Sequence, residues 1–217
     1  MNTQAEHHPL SRTLRSPFMT PLRRVEAVLD FVCVHCYIGF TRYARAVCRY
    51  RADGGTAETV LRPVQLRPDA SPAGEPLIAV WSREHGAAVT AQLAADTSLG
   101  ADDGLDLNFH RAVFTSTFDA HRLAAQASAQ GKAEQMAERL FRGYFTDGLN
   151  IADPTVLARL AAETGVMTNG GGADAMHAEL DRIRELDLPT PPVFLFPGGP
   201  ALSGQVREDD VLAALRE

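Results

Sequence analysis

The sequence predicts an α/β fold, a central mixed sheet flanked by helices, whose two halves are separated by an inserted all-helical lobe. A short aliphatic run near the N-terminus is followed by a long helical pattern and a second strand-like run. An alanine-rich middle then repeats its apolar residues at helical intervals, and the C-terminal part reads helix, strand, strand, helix. No internal repeat of fixed period interrupts this order.

Residues 24–31, with Val25, Ala27, Val28, Leu29 and Phe31, form a short aliphatic run that stops at a cysteine pair, the pattern of a buried strand. From Val34 to Tyr50 the apolar residues Ile38, Tyr43, Val47 and Tyr50 recur near helical spacing, and Asp53-Gly54-Gly55 supplies the stop. Residues 58–66 are strand-like until Pro68 and Pro72 break the pattern. In the middle, Leu77, Val80, Trp81 and Ala88 mark one helix, Leu123 and Ala127 a second, and Met136, Leu140, Phe141, Tyr144 and Phe145 a third. The last helix of this block starts at Asp153, a capping residue with Pro154 at the first helical position, and ends at Gly165. Residues 173–186 carry Met176, Leu180 and Ile183 as a helical stripe, 193–196 and 201–203 are strands about a proline-glycine turn, and 208–215 is a closing helix. This is the order of a thioredoxin fold with a helical insertion. Its expected divisions are a disordered tail at 1–22, a first half at 23–72, the inserted lobe at 73–166 and a second half at 167–217.

The 217 residues, 45% of them hydrophobic and 22% charged, suffice for one well-buried core. A formal net charge of −6 argues against a sequence-independent nucleic-acid binder, which needs a basic surface. No apolar run approaches the ~18 residues of a membrane-spanning helix, so the expected partners are small molecules or proteins, with neither nucleic acid nor membrane among them. Residues 1–22 lack the continuous apolar core of a secretory signal, which argues against export by that route, and Met19 is a candidate start. The cysteines number 3, too few for a disulfide-stapled scaffold and consistent with a cytoplasmic chain kept reduced.

In that setting the pair in Cys33-Val34-His35-Cys36, at a strand-to-helix junction, points to dithiol chemistry. The first sulfur falls at a helix N-terminus, where free N–H groups and the helix dipole favour a thiolate; the second lies one turn in. Cys33 is therefore the candidate nucleophile, with its pKa drawn below the ordinary value of about 8.5, and Cys36 the resolving thiol. His35 is placed to donate a hydrogen bond or a charge toward Cys33, which would favour the reduced form and a more oxidising enzyme. Two plainer readings compete. Both cysteines could simply pack in the core, or Cys33, His35, Cys36 and Cys48 could bind a metal; the lack of a second close pair argues against a metal site. Cys48 falls some ~120° around the helix from Cys36 at ~100° per residue and is expected to face the core.

The stretch Asp30-Phe31-Val32-Cys33-Val34-His35-Cys36-Tyr37-Ile38-Gly39 resembles the active-site motif of the FrnE-like branch of the DsbA family. Arg62-Pro63-Val64-Gln65-Leu66-Arg67-Pro68-Asp69, Ser116-Thr117-Phe118-Asp119-Ala120-His121-Arg122, Leu140-Phe141-Arg142-Gly143-Tyr144-Phe145, and Pro192-Val193-Phe194-Leu195-Phe196 with Ser203-Gly204 resemble that family in order and spacing, from about residue 24 to the end. The resemblance implies a thiol-disulfide oxidoreductase or isomerase with no bound cofactor, acting on protein or small-molecule thiols and disulfides. Glutathione is a candidate co-substrate and a homodimer a candidate assembly. By position Pro192 matches the family's cis-proline, in a loop that would keep a main-chain edge open for an extended substrate. Pro192, Pro191 and Val34 are thus the candidate substrate-binding residues.

Two departures stand out. The family more often carries Pro-Trp between its cysteines, where this chain has Val34-His35. Pro191 occupies a position where a free N–H is usual, so one main-chain bond to a bound peptide is lost, a net effect of about 0.5–1.5 kcal/mol. Asp119 and His121 read as a helix cap and a hydrogen-bonded core histidine, with substrate contact as the alternative. The glycines at 170–172 lack the Lys-Ser/Thr ending of a phosphate loop and read as a connection. Two other functions compete with disulfide exchange. Related folds bind glutathione and isomerise or conjugate small aromatic compounds, though usually with a serine or lone thiol at the active position; a non-catalytic thioredoxin-like binding module is the third reading.

Overall fold

A computed structural model describes residues 21–217. The disordered tail expected at 1–22 lies outside the described residues except for Pro21 and Leu22, and Leu22 already belongs to the first strand. In chain order the elements open with β1 (Leu22–Leu29), α1 (Val34–Ala52) and β2 (Thr56–Pro63). The middle holds β3 (Glu75–Pro76), α2 (Leu77–His85), α3 (Ala87–Ala95), a 3₁₀ turn (Ala101–Asp103), β4 (Val113–Phe114), α4 (Phe118–Ala129), α5 (Ala133–Phe145) and α6 (Pro154–Thr164). The chain closes with α7 (Ala173–Glu185), β5 (Val193–Leu195), β6 (Ala201–Ser203) and α8 (Glu208–Arg216).

The mixed sheet runs in the order β2-β1-β5-β6. β1 pairs in parallel with β2, Leu29 opposite Pro63, and antiparallel with β5, Val28 opposite Val193. A strand flanked on both sides buries most of its side chains, which is why Val25, Ala27, Val28 and Leu29 read so clearly, while Arg24 and Glu26 form ion pairs with Glu58 and Arg62. Val25, Ala27 and Leu29 enter the main core with α1, α5 and α8, while Val28 points the other way, into a small cluster with Val193 and Ile183 of α7. β1 stops at Leu29, shorter than the aliphatic run suggests, because Asp30, Phe31 and Val32 form the turn that swings the chain into α1.

Two corrections apply to the middle of the chain. It is not all helical: β3 and β4 form a two-residue antiparallel ladder, Glu75 opposite Phe114, too short to leave any periodicity in the sequence. The single helix expected over 77–88 is instead α2 and α3, broken at Gly86, whose φ of 83° is open to glycine at little cost. The Asp153 cap is as expected, its side chain accepting the Thr155 N–H at 2.7 Å, with Gly165 in the left-handed conformation at the other end.

What seats these helices on the sheet is an aromatic cluster around Phe141 of α5. Its ring stacks on Tyr37 of α1, with centroids 5.0 Å apart and planes 9° from parallel, and lies 5.1 Å from Phe31 and 5.9 Å from Phe40. A second tie is polar. The buried Asp103 carboxylate accepts Arg42 Nη2 at 2.7 Å and Arg42 Nε at 3.0 Å, holding the 3₁₀ turn against α1. Phe141→Ala is expected to cost about 3–5 kcal/mol, read as a lower midpoint in urea unfolding; a midpoint shifted no more than by a surface substitution would remove Phe141 from this role.

Candidate active site

The turn from β1 into α1 builds the site. Asp30 O accepts the Cys33 N–H at 3.1 Å, closing the turn, and Cys33 then takes the N-cap position of α1 with extended backbone, φ −90° and ψ 111°. At an N-cap a side-chain acceptor satisfies one of the free N–H groups of the first turn. Here that acceptor is a sulfur: Cys33 Sγ receives the Cys36 N–H at 3.2 Å. No acidic residue sits in the first turn to compete for the positive end of the helix.

The two thiols are thereby made unequal. The bond from the Cys36 thiol, helped by the Cys36 and His35 main-chain N–H groups, draws the Cys33 pKa below the ordinary thiol value, against the opposing effects of burial and the Asp30 carboxylate. Cys36 is completely enclosed, and burial first, then its bond to Cys33, push its pKa well above that value. Both thiols are free, and 8% of Cys33 remains exposed while none of Cys36 does. Of the two thiols, Cys33 alone keeps an exposed edge.

His35 is exposed, and among the described residues no hydrogen bond joins its imidazole to either sulfur; its main-chain N–H is what favours the Cys33 thiolate. It lines a cavity of about 240 Å³ with Ile38, Gly39, Arg42, Asp103 and Gly204. Val34 is half-buried and lines another of about 240 Å³ with Val32, Leu66, Trp81, Phe109 and Phe114. The Val-His pair thus separates an apolar recess from a polar one.

The Pro191–Pro192 peptide is cis. Pro192 is buried, its carbonyl accepts the Gly204 N–H at 3.2 Å, and its ring packs on the N-terminal end of α1. Gly39 permits that approach: a Cβ there would stand 2.8 Å from Pro192 Cγ. Pro191 is half-buried and lines a cavity of about 390 Å³ with Val28, Val64, Ile183 and Leu188. The structure therefore brings Cys33, Cys36, Val34 and His35 together at one helix end, with Pro192 against that end through Gly39.

Cys48 is a correction. It is exposed, on the solvent face of α1 beside Arg45 and Arg49, because the buried face is already filled by Tyr43, Ala46, Val47 and Tyr50. Asp119 is another: it does not cap α4, whose N-cap Thr117 makes no side-chain capping bond, and pairs instead with Arg122 at 2.6 Å. His121 is the hydrogen-bonded core histidine the sequence suggests. Its Nε2 lies 3.1 Å from Val64 O, which can only accept, so that nitrogen donates. The residue the sequence left without a role is Asp30, wholly buried, with Oδ2 accepting the Leu66 N–H at 2.8 Å and Oδ1 3.5 Å from His121 Nε2. An acid between the apolar residues Leu29 and Phe31, three positions before the first cysteine, is the available signal. Among the described residues no group of three or more His, Cys, Asp or Glu could hold a metal ion, and no helix is long and apolar enough to cross a membrane.

Comparison with known proteins agrees with this geometry. The model of the DSBA-like thioredoxin domain family matches residues 24–187. A probable DsbA oxidoreductase of Streptomyces coelicolor superposes with a TM-score of 0.76 at 24% identity, over 89% of this chain and 88% of that one. The cytosolic disulfide reductase DsbM of Pseudomonas aeruginosa, also solved with glutathione, gives a TM-score of 0.55 at 20% identity over 89% of this chain and 97% of its own. A 2-hydroxychromene-2-carboxylate isomerase gives 0.61 at 12% identity over 89% and 94%. At these identities the superpositions establish the fold. No curated protein matches the chain.

Two outcomes are expected. Residue-resolved alkylation by iodoacetamide gives Cys33 a midpoint below the ordinary thiol pKa of about 8.5, so its reactivity persists as pH falls through neutrality; a midpoint at or above that value would contradict the N-cap account. Because the folded pKa is the lower one, this thiolate stabilises the reduced fold fully above the ordinary thiol pKa and loses that contribution as pH falls through its own midpoint. Second, Gly39→Ala forces the Pro192 loop off α1 at a cost of about 1–3 kcal/mol, measured by denaturant titration; an unchanged stability would show that the loop does not depend on this close approach.

Proposed function

The chain belongs to the DSBA-like thioredoxin domain family, and on that premise we propose that it is a thiol-disulfide oxidoreductase working through Cys33 and Cys36. The observation that carries this reading is the Cys33 sulfur serving as the N-cap acceptor of α1, 3.2 Å from the Cys36 nitrogen. A sulfur so placed ionises more readily than an ordinary thiol, beside the thiol that can finish the exchange.

The chemistry follows in two displacements. The Cys33 thiolate attacks one sulfur of a substrate disulfide; a bond forms between them, the substrate disulfide breaks, and its other sulfur leaves with the electron pair. Cys36 then attacks Cys33 Sγ, closing the intramolecular disulfide and releasing the second substrate thiolate. The substrate gains two electrons and the enzyme dithiol is oxidised; run backward, the same steps deliver a disulfide, and attack of Cys33 followed by rearrangement isomerises one.

Val34 and His35 place two different recesses beside the reacting sulfur. The apolar one, with Trp81, Phe109 and Phe114, suits an aliphatic or aromatic group next to the disulfide. The recess at His35 and Arg42 suits a polar thiol, and glutathione is the proposed co-substrate there. Pro192 and Pro191 are proposed to border the substrate; with no N–H at Pro191 an extended peptide forfeits one main-chain bond, which favours small disulfides over long peptides. The small number of cysteines supports a reducing, cytoplasmic setting. A glutathione-dependent isomerase needs one thiol or hydroxyl at this position, and the retained pair of unequal thiols favours exchange.

The test is a Cys36→Ser variant, in a Cys48→Ser background that removes the exposed thiol, challenged with glutathione disulfide and with a disulfide-containing peptide. Intact-mass analysis is expected to show a stable adduct on Cys33 that is lost in Cys33→Ser. An unmodified Cys33 under both challenges would reject exchange and leave the binding-module reading.

A further inference from the structure

The apolar recess beside Val34 is more specific than exchange with a generic disulfide requires. Val32 and Val34, the residues on either side of the nucleophile, belong to its wall, and Trp81, Phe109, Phe114 and Phe145 line it with rings. Trp81 and Phe109 lie 5.2 Å apart and tilted, and Phe145 meets Phe109 edge-on at 6.1 Å. Rings set at such angles present both edges and faces, the surroundings an arene prefers. At about 240 Å³ the recess is larger than the roughly 150 Å³ of an apolar cavity that takes benzene. It is smaller than the roughly 300–1,000 Å³ of pockets for drug-sized ligands, which leaves room for one substituted ring.

Two charged residues, Arg67 and Glu84, are also in the lining, and both are partly exposed. The Arg67 guanidinium lies 4.9 Å from the centre of the Phe114 ring and 2.9 Å from the Glu84 carboxylate. Its other ion pair, to exposed Asp69, spans 3.9 Å. Among the described residues Arg67 nonetheless donates no hydrogen bond. Arg83, by contrast, holds Glu75 through two, at 2.8 and 2.9 Å. A planar guanidinium resting on a ring with its donors uncommitted can take a carboxylate side-on. Glu84 lies where such a carboxylate would sit, in contact but out of hydrogen-bonding alignment, and a partly exposed ion pair of that kind is displaced at small cost.

We propose that this recess binds the aromatic arm of a disulfide that carries a carboxylate, the ring lying among Trp81, Phe109 and Phe114 and the carboxylate on Arg67 in place of Glu84. The substrate class is thus the disulfides of arylthio carboxylic acids, and Arg67 is the specificity-determining residue. The inference rests on the dithiol reading above and narrows its substrate. The Cys33 thiolate attacks the sulfur of the seated arm; the new S–S bond forms, the substrate disulfide breaks, and the far sulfur leaves with the electron pair. Cys36 then displaces the seated arylthiolate from Cys33, closing the enzyme disulfide, and the Cys36 proton passes to the solvent. Glutathione disulfide has no ring to seat there and serves as the reference.

Reduced protein carrying Cys48→Ser, which removes the exposed thiol, is mixed with excess dithiobis-benzoate, with the uncharged dithiobis-benzamide, or with glutathione disulfide. Oxidation is followed by acid quench and mass analysis. Each rate constant is divided by that of free N-acetylcysteine with the same reagent, which removes the reagents' own reactivity. The parent is expected to prefer the benzoate over the benzamide by about tenfold, and Arg67→Gln to abolish that preference. Glu84→Gln, which clears the seat, is expected to raise it. Arg83→Gln removes a neighbouring positive charge outside the recess and is expected to keep it. Trp81→Leu is expected to slow both aromatic reagents relative to glutathione disulfide. No preference in the parent, one that survives Arg67→Gln or is lost equally in Arg83→Gln, or parental aromatic rates in Trp81→Leu would overturn the proposal. Should Arg67→Gln fail to fold, a preference that does not rise in Glu84→Gln would do the same. If none of the three reagents oxidises Cys33 and Cys36 in the parent, the dithiol reading itself fails, and this one with it.

Discussion

The bond from the Cys36 N–H to the Cys33 sulfur is the contact on which the site depends. It exists because β1 is the central strand of the sheet, gripped by β2 on one side and β5 on the other, so that its end is fixed in space. It also requires that the chain turn at Asp30–Val32 and enter α1 with Cys33 still extended. A helix started one residue earlier would put Cys33 inside the first turn, where its sulfur could not reach back to an unpaired N–H. Backbone geometry thus makes two chemically identical thiols unequal, lowering the pKa of Cys33 while Cys36 lies enclosed.

The same geometry forces an asymmetry that the surrounding core must manage. Cys33 keeps a small exposed edge while Cys36 is fully buried in the core cluster that holds Phe31, Tyr37 and Phe40, and that enclosure suppresses ionisation of the inner thiol. The lobe helices bear on both sides of this problem. Phe141 packs the aromatic lid over the turn, and His121 stands beside the one buried carboxylate near the sulfurs. The helical insertion therefore reaches the foot of the active-site turn as well as covering it.

How legible this was in the sequence follows from where each signal resides. β1, α1 and α5 were clear because burial on defined faces writes itself into residue spacing, as does the Asp153-Pro154 helix start. The Cys33–Cys36 pair was legible because its spacing and its place at a strand-to-helix junction are both local. The β3–β4 ladder was not, since two paired residues carry no period, and the break at Gly86 looked like an ordinary helix interior. Cys48 misled for a simple reason: an angle around a helix says nothing until the buried face is known, and that face is set by the sheet and α8. The His35 imidazole bonds neither sulfur; the Cys36 thiol, with the Cys36 and His35 main-chain N–H groups, lowers the Cys33 pKa instead. Asp30 and His121, far apart in sequence, gain their meaning only from a contact across the lobe boundary, and Gly39 only from the approach of a proline at 192.

The most direct test is to equilibrate the protein in glutathione redox buffers of graded composition, quench with acid, and map the cysteines by mass spectrometry. A reversible disulfide between Cys33 and Cys36, forming and breaking together with the buffer while Cys48 stays a thiol or a simple glutathione adduct, is the predicted result. Persistent free thiols at both positions across the whole range, or oxidation that couples either one to Cys48, would contradict the account.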